Sequence, residues 1–184
     1  MTHEPDHITC VTPPEEEPLT VEQVKTDRGG INHSEHDDML TELIAAARQR
    51  AENATGRALM PQVWQQLHVR ASAEIELIRW PVVDLVSITV DGETLDVTAL
   101  MEEGNLELWA GDKALLISPL FYGKRVVVQY NAGYADEEAV PSPIKKWMLM
   151  QIGSMYEHRE SEVVGVATNK LKYVDSLIQP YRVR

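Results

Sequence analysis

Two short stretches hold the residue types from which active sites are built. "GSMYEHRE" (153–160) sets Tyr156, Glu157, His158, Arg159 and Glu160 in a row. General acid–base catalysis would need two of these groups to converge on one substrate atom. "HSEHDD" (33–38) supplies His33, His36, Asp37 and Asp38, and the first ten residues supply His3, His7 and Cys10. All of these are metal-ligating types, but a zinc or iron centre needs three or four convergent ligands, and two histidines three apart provide half of one. A covalent mechanism has less to work with. There is no G-x-S-x-G, Cys10 has no base placed beside it, and "RGGIN" (28–32) lacks the spacing and the lysine of a phosphate-binding loop.

The elements that must position these residues decide between chemistry and mechanics. Thr20 and Gln23 have capping-box spacing and open a helix over about 21–28, which Gly29-Gly30 ends. Leu40, Leu43, Ile44, Ala47, Ala51 and Ala54 recur at steps of three and four and predict a second helix over 35–54. Glu35, Asp37 and Asp38 then sit where carboxylates favour the helix dipole, and Gly56 fits the left-handed position after the last turn. "HSEHDD" is accounted for as a polar helix start, and no metal site is assigned. Ser142 and Pro143 suit the N-cap and first position of a third helix over 143–160. Its apolar face is Ile144, Trp147, Met148, Ile152, Met155 and Tyr156. That places "GSMYEHRE" at a helix end. Neighbouring side chains on a helix diverge by about 100°, so Glu157 and His158 cannot hold one atom together. No catalytic residue is assigned. A last helix over 171–179 carries Leu171, Val174, Leu177 and Ile178, and Pro180 stops it.

Between these helices, residues 62–131 read as about six short strands. Asp91-Gly92 marks one hairpin and Gly111-Asp112 a second. Trp147 on the helix stripe, and Trp64, Trp80 and Trp109 in strand-like segments, read mainly as core. Residues 1–18, with "PPEEEP", read as an acidic, proline-rich tail, and 19–184 as a single domain. The expected fold is α+β: a small bundle of about four helices with an inserted, mostly antiparallel β-sheet region containing hairpins.

Composition limits the partners. The chain of 184 residues is 43% hydrophobic and carries a formal net charge of −12. Nucleic-acid affinity comes largely from cations neutralising phosphates, and here the positive residues are scattered pairs: Lys124-Arg125, Lys145-Lys146, and Lys170 with Lys172. A static grip on DNA is not expected, whereas a surface past which DNA slides is compatible. No apolar run reaches membrane-spanning length and the N-terminus has no signal-peptide pattern. One cysteine permits no internal disulfide and fits a reducing compartment.

Four segments in order carry a resemblance: "LTVEQVK" (19–25), "LTELIAAARQRAENATGRALMPQVW" (40–64), "VVQYNAGYADEEAVPSPIKKWMLMQIGSMYEHRE" (127–160) and "LIQPYRVR" (177–184). Together they resemble the head–tail connector, or adaptor, proteins of long-tailed double-stranded DNA phages and prophages, over roughly residues 18–184. The acidic tail, a longer strand region and the "VVGVATNKLKYVD" segment depart from the family pattern. The resemblance implies a structural virion protein without enzymatic activity or cofactor. It would form a ring, usually of twelve copies, beneath the portal at the neck of the particle. Its partners would be the portal protein, a head-completion or tail protein and its own copies, with packaged DNA passing through unbound and no membrane involved. By the same analogy the C-terminal segment docks on the portal. Leu171, Val174, Leu177, Ile178 and Tyr181 would be apolar anchors, with Arg182 and Arg184 pairing with acidic groups; closure of the subunit's own core by this helix is the competing reading. A head-closure or tail-completion protein, and an acidic regulatory or DNA-mimicking protein, are the alternative functions.

Overall fold

The computed structural model describes residues 4–28, 34–110, 114–158 and 172–183. Its contacts divide the chain into two compact units, each assembled from separated segments: Met1–Glu15 with Pro61–Tyr134, and Glu16–Met60 with Ala135–Arg182. The sequence alone suggests a tail and one domain, so both the division and the place of the N-terminus differ from that expectation.

The first unit is built of strands. β1 (His7–Thr12), β2 (Gln62–His68), β3 (Glu74–Leu77), β4 (Val82–Val90), β5 (Glu93–Leu95), β6 (Glu107–Ala110), β7 (Ala114–Ile117) and β8 (Val126–Ala132) form two sheets, with one short helix, α3 (Val97–Glu102). The five-stranded sheet has the order β1-β2-β8-β4-β5 and the three-stranded sheet β3-β7-β6, with every pairing antiparallel.

β1 corrects the expectation of a tail over 1–18. "HITCVT" is rich in β-branched residues, and its backbone pairs with β2 from His7 opposite Leu67 to Thr12 opposite Val63. The proline- and glutamate-rich run begins only after it. α3 is a second departure, since "VTAL" looks strand-like. Asp96 decides the matter by accepting a hydrogen bond from the Ala99 N–H at 3.0 Å, which caps the helix. Both expected hairpins are present. The β4–β5 turn has Asp91 at φ 51° and Gly92 at φ 94°, the left-handed pair that a two-residue turn between twisted strands requires. β6 and β7 pair from Glu107 opposite Ile117 to Ala110 opposite Ala114, while the Gly111-Asp112 turn itself lies outside the described residues.

The buried face of the large sheet is largely polar on β2 and apolar on its neighbour β8. Gln62, Trp64, Gln66 and His68 of β2 are buried, opposite Ala132, Tyr130, Val128 and Val126 of β8. Gln66 is held from both ends of its amide. Its Oε1 accepts from the Tyr130 hydroxyl at 2.7 Å and the Ile78 N–H at 2.8 Å, and its Nε2 donates to the Glu76 carbonyl at 3.0 Å. Burial raises the Tyr130 phenol above its ordinary value, so it remains a neutral donor. The Arg79 guanidinium lies 4.4 Å over the Trp64 ring, covering it with a cation.

The second unit is helical: α1 (Val21–Arg28), α2 (Asp37–Thr55), α4 (Ser142–His158), α5 (Lys172–Ser176) and a 3-10 turn at Gln179–Tyr181. α2 packs on α4, α1 touches both, and α5 lies against α4. The capping box is formed in both directions, Gln23 N–H to the Thr20 hydroxyl at 3.2 Å and Thr20 N–H to the Gln23 amide oxygen at 3.0 Å. Gly56 takes the left-handed conformation, φ 74°, and its N–H closes α2 on the Glu52 carbonyl.

The buried face of α2 comprises Leu40, Ile44, Ala47, Arg48, Ala51, Glu52 and Thr55. Two charged residues therefore lie on a face expected to be purely apolar, and a clamp explains them. Arg48 donates to both Glu17 oxygens, at 2.7 and 3.2 Å, and to Glu52 Oε2 at 3.0 Å, while Glu52 Oε1 accepts the Leu59 N–H at 3.0 Å. Burial works against the Arg48 charge, and Glu17 and Glu52 more than offset it, holding the guanidinium above its ordinary value. The clamp ties the segment entering α1, the middle of α2 and the chain leaving α2.

Candidate functional site

The C-terminal segment forms two short pieces in place of one helix over 171–179. Pro180 supplies no N–H, and the chain tightens into the Gln179–Tyr181 turn after α5. Val174 and Ile178 are buried, Leu177 and Tyr181 are half-buried, and Arg182 is exposed; Leu171 and Arg184 lie outside the described residues. Val174 and Ile178 are thus occupied within the protein and unavailable to a partner.

Two polar contacts fix the segment. The Trp147 indole N–H donates to Asp175 Oδ1 at 3.3 Å, and Arg57 Nε donates to the Tyr181 carbonyl at 2.6 Å. Asp175, Ser176, Gln179 and Arg182 line a shallow cleft of about 260 Å³. It offers hydrogen-bonding groups, one carboxylate and one cation.

Two residues of the stretches that looked chemical make a structural contact. Tyr156 reaches back to the start of α2, its hydroxyl 2.7 Å from His36 Nδ1, with the two rings tilted at 59°. This contact joins one residue of "GSMYEHRE" to one of "HSEHDD" and holds α4 on α2. Glu157 is exposed at the end of α4; the His158 side chain, Arg159 and Glu160 lie outside the described residues, as does His33. Asp37 meets Lys25 Nζ at 2.6 Å, and this hydrogen bond raises the lysine above its ordinary value. His7 and Cys10 are three apart on β1 and so project from opposite faces, which prevents joint ligation. Among the described residues, no group of three or more His, Cys, Asp or Glu is placed to hold a metal. No helix among them is long and apolar enough to cross a membrane.

Several carboxylates serve separate structural tasks. Glu17 and Glu52 hold Arg48, Asp27 meets Lys146 at 2.6 Å, Asp96 caps α3, and the Asp91 carboxylate accepts the Arg125 N–H at 3.0 Å. A DNA-mimicking surface would instead gather them on one face.

A set of exposed apolar residues was not foreseen from the sequence. Trp109 on β6 is 58% exposed and Tyr122, in the loop before β8, 78%. Core positions, expected for most of the tryptophans, are taken by Trp64 and Trp147, while Trp80 is half-buried and Trp109 is exposed. Among the described residues β6 pairs with β7 alone and is an edge strand, which leaves Trp109 uncovered, and the sequence does not announce that strand order.

With this geometry in place, the likenesses to known proteins are specific. Residues 18–79 match the model of the phage gp6-like head-tail connector protein family, a span that contains α1, α2, β2 and β3. No curated protein matches. A chain from the neck of an empty GTA particle, solved with C6 symmetry, is similar over 97% of this chain and 96% of its own, at a TM-score of 0.75 and 20% identity. A chain from the virion of a native gene transfer agent (GTA) particle is similar over 96% and 95%, at 0.77 and 17%. One from the neck of a native GTA particle, solved with C12 symmetry, is similar over 97% and 96%, at 0.72 and 16%. The α+β architecture read from the sequence is therefore, over nearly its whole length, the fold of chains from these particles, and residues 18–79 match the connector family.

Proposed function

We propose that the protein is a structural component of a phage-like particle, a head–tail connector that forms a ring at the neck between capsid and tail. The observation that carries this reading is the likeness of nearly the whole chain to chains from GTA necks, joined to the connector-family match at residues 18–79. In this reading the portal protein lies on one side of the ring and a head-completion or tail protein on the other. Twelve copies satisfy both the C6 and the C12 symmetry of those necks. DNA passes through the ring without retention, which a net charge of −12 favours. The role is one of assembly and involves no catalysis.

The portal contact is assigned to the C-terminal turn, through the residues there that are exposed or half-buried: Leu177, Tyr181 and Arg182. The test uses DNA-filled heads produced without this chain. Adding the purified protein together with tails is expected to yield tailed, infectious or DNA-delivering particles, and omitting it to leave heads and tails apart. Joining that proceeds equally well without the protein would refute the connector role.

A further inference from the structure

The outer face of the three-stranded sheet in the first unit has a composition that solvent exposure alone does not explain. Directly paired residues of antiparallel strands share a face. Ile75, Leu116 and Leu108 form one row across the sheet, and Ile75 and Leu116 are buried. The next rows, Glu74–Ile117–Glu107 and Glu76–Leu115–Trp109, project to the other side. There Ile117 and Leu115 are half-buried, Glu74 and Glu107 are exposed, and Trp109 stands on the edge strand. An apolar centre is thus bordered by carboxylates and ends in an exposed indole, the side-chain type most enriched in binding hot spots.

The same unit carries a surface of the opposite kind. In the loop "LFYGKR" (120–125), Phe121 is buried and fixes the segment, while Leu120, Tyr122, Lys124 and Arg125 are exposed. Gly123, at φ 76°, donates to the Ala71 carbonyl, and the Ala71 N–H donates to the Lys124 carbonyl, so the loop is pinned at two points. It offers apolar side chains beside two adjacent cations, in a chain with far more acids than bases.

We propose that these two surfaces are partners in neighbouring copies: the loop of one copy, led by Tyr122, Lys124 and Arg125, docks on the outer sheet face of the next, against Trp109, Glu74 and Glu107. The inference rests on the ring-forming role proposed above and assigns part of its subunit contact. Charge complementarity selects a second copy as the occupant. Chains each carrying −12 repel on average, so stable association requires local pairing of cation with carboxylate, and both halves of such a pair are present on every copy. The two surfaces differ, so the contact is heterologous and repeats from copy to copy until the rotation closes.

Charge reversal tests this directly. One variant carries Glu74→Lys and Glu107→Lys, the other Lys124→Glu and Arg125→Glu, and native mass is read alone and on the portal ring. Each variant by itself presents like charges at the contact and is expected to lose the closed ring at least tenfold. An equimolar mixture is expected to regain it as an alternating ring, which misfolded chains could not do. Trp109→Ala probes the same contact without altering charge: the ring fraction falls while the thermal midpoint stays at the wild-type value. The proposal is overturned if either reversed variant assembles like the wild type, if the mixture fails while both variants remain folded, or if Trp109→Ala assembles normally. If the wild-type chain closes a ring in those cases, the connector role stands and the contact lies elsewhere. If the wild-type chain forms no ring, alone or on the portal, the role and the inference fall together.

Discussion

Replacing Arg48 with alanine is expected to destabilise the protein by about 3 kcal/mol, because it removes the cation from a buried, paired set and leaves Glu52 charged in the interior. The bare count of one ion pair understates this. Arg48 and Glu52 are each only a few per cent exposed, and Glu17 approaches from a distant part of the chain with both oxygens on the guanidinium. A surface pair at the same i, i+4 spacing would contribute a few tenths of a kcal/mol. The thermal midpoint should fall by about 6–12 °C for a chain of this size. Arg48→Lys keeps the charge but loses the forked geometry, and Glu17→Ala removes the more exposed partner, so both should be milder. Thermal and urea unfolding of the three variants checks the order. A loss in Arg48→Ala no greater than that of Glu17→Ala would mean that the clamp does not hold the helical unit together.

The second large effect is expected at Ile178, which is fully buried after α5. Truncation to alanine should cost about 3 kcal/mol through lost burial and the cavity left behind. Arg182→Glu, two residues beyond Pro180, should leave the midpoint unchanged because Arg182 is exposed. Their functional consequences should separate in the opposite sense. Arg182→Glu should abolish portal binding in a folded protein, while Ile178→Ala, at a temperature where it is folded, should still bind. Portal binding retained by Arg182→Glu would remove the C-terminal turn from the docking surface and leave it a closing element of the helical unit.

These two sites mark how far the sequence could be read. α2 and α4 were legible because their apolar residues recur at helical spacing over four or five turns, and the capping box and Gly56 are local signals read without tertiary context. Arg48 and Glu52 were not legible as buried, since an i, i+4 pair of opposite charges looks like an exposed face until Glu17 is known to reach it. β1 was hidden by its neighbour. The "PPEEEP" run reads as solvated chain, and a strand at a sheet edge is recognised by what it pairs with more than by its own composition. On β2 the core reading of Trp64 is right, but burial of Gln62, Gln66 and His68 on the same face was not legible, because the hydrogen bonds that make burial of Gln66 tolerable come from Tyr130, Ile78 and Glu76. Val174 and Ile178 have the spacing of an anchor stripe, and spacing alone does not tell whether the stripe meets its own chain or another.

The residues that first suggested chemistry illustrate the same limit from the other side. Tyr156 and His36 lie far apart in sequence and meet at 2.7 Å, which no local pattern announces. Their contact fastens one helix to another.

Closure of several copies of this chain into a ring on the portal is the claim on which the proposed role depends. The most direct test is the native mass of the purified protein, alone and mixed with the portal ring from the same particle. The expected result is a discrete complex in which one portal ring carries a closed set of twelve copies. Monomers only, with no shift in mass on adding the portal ring at the salt concentration used for packaging, would contradict it.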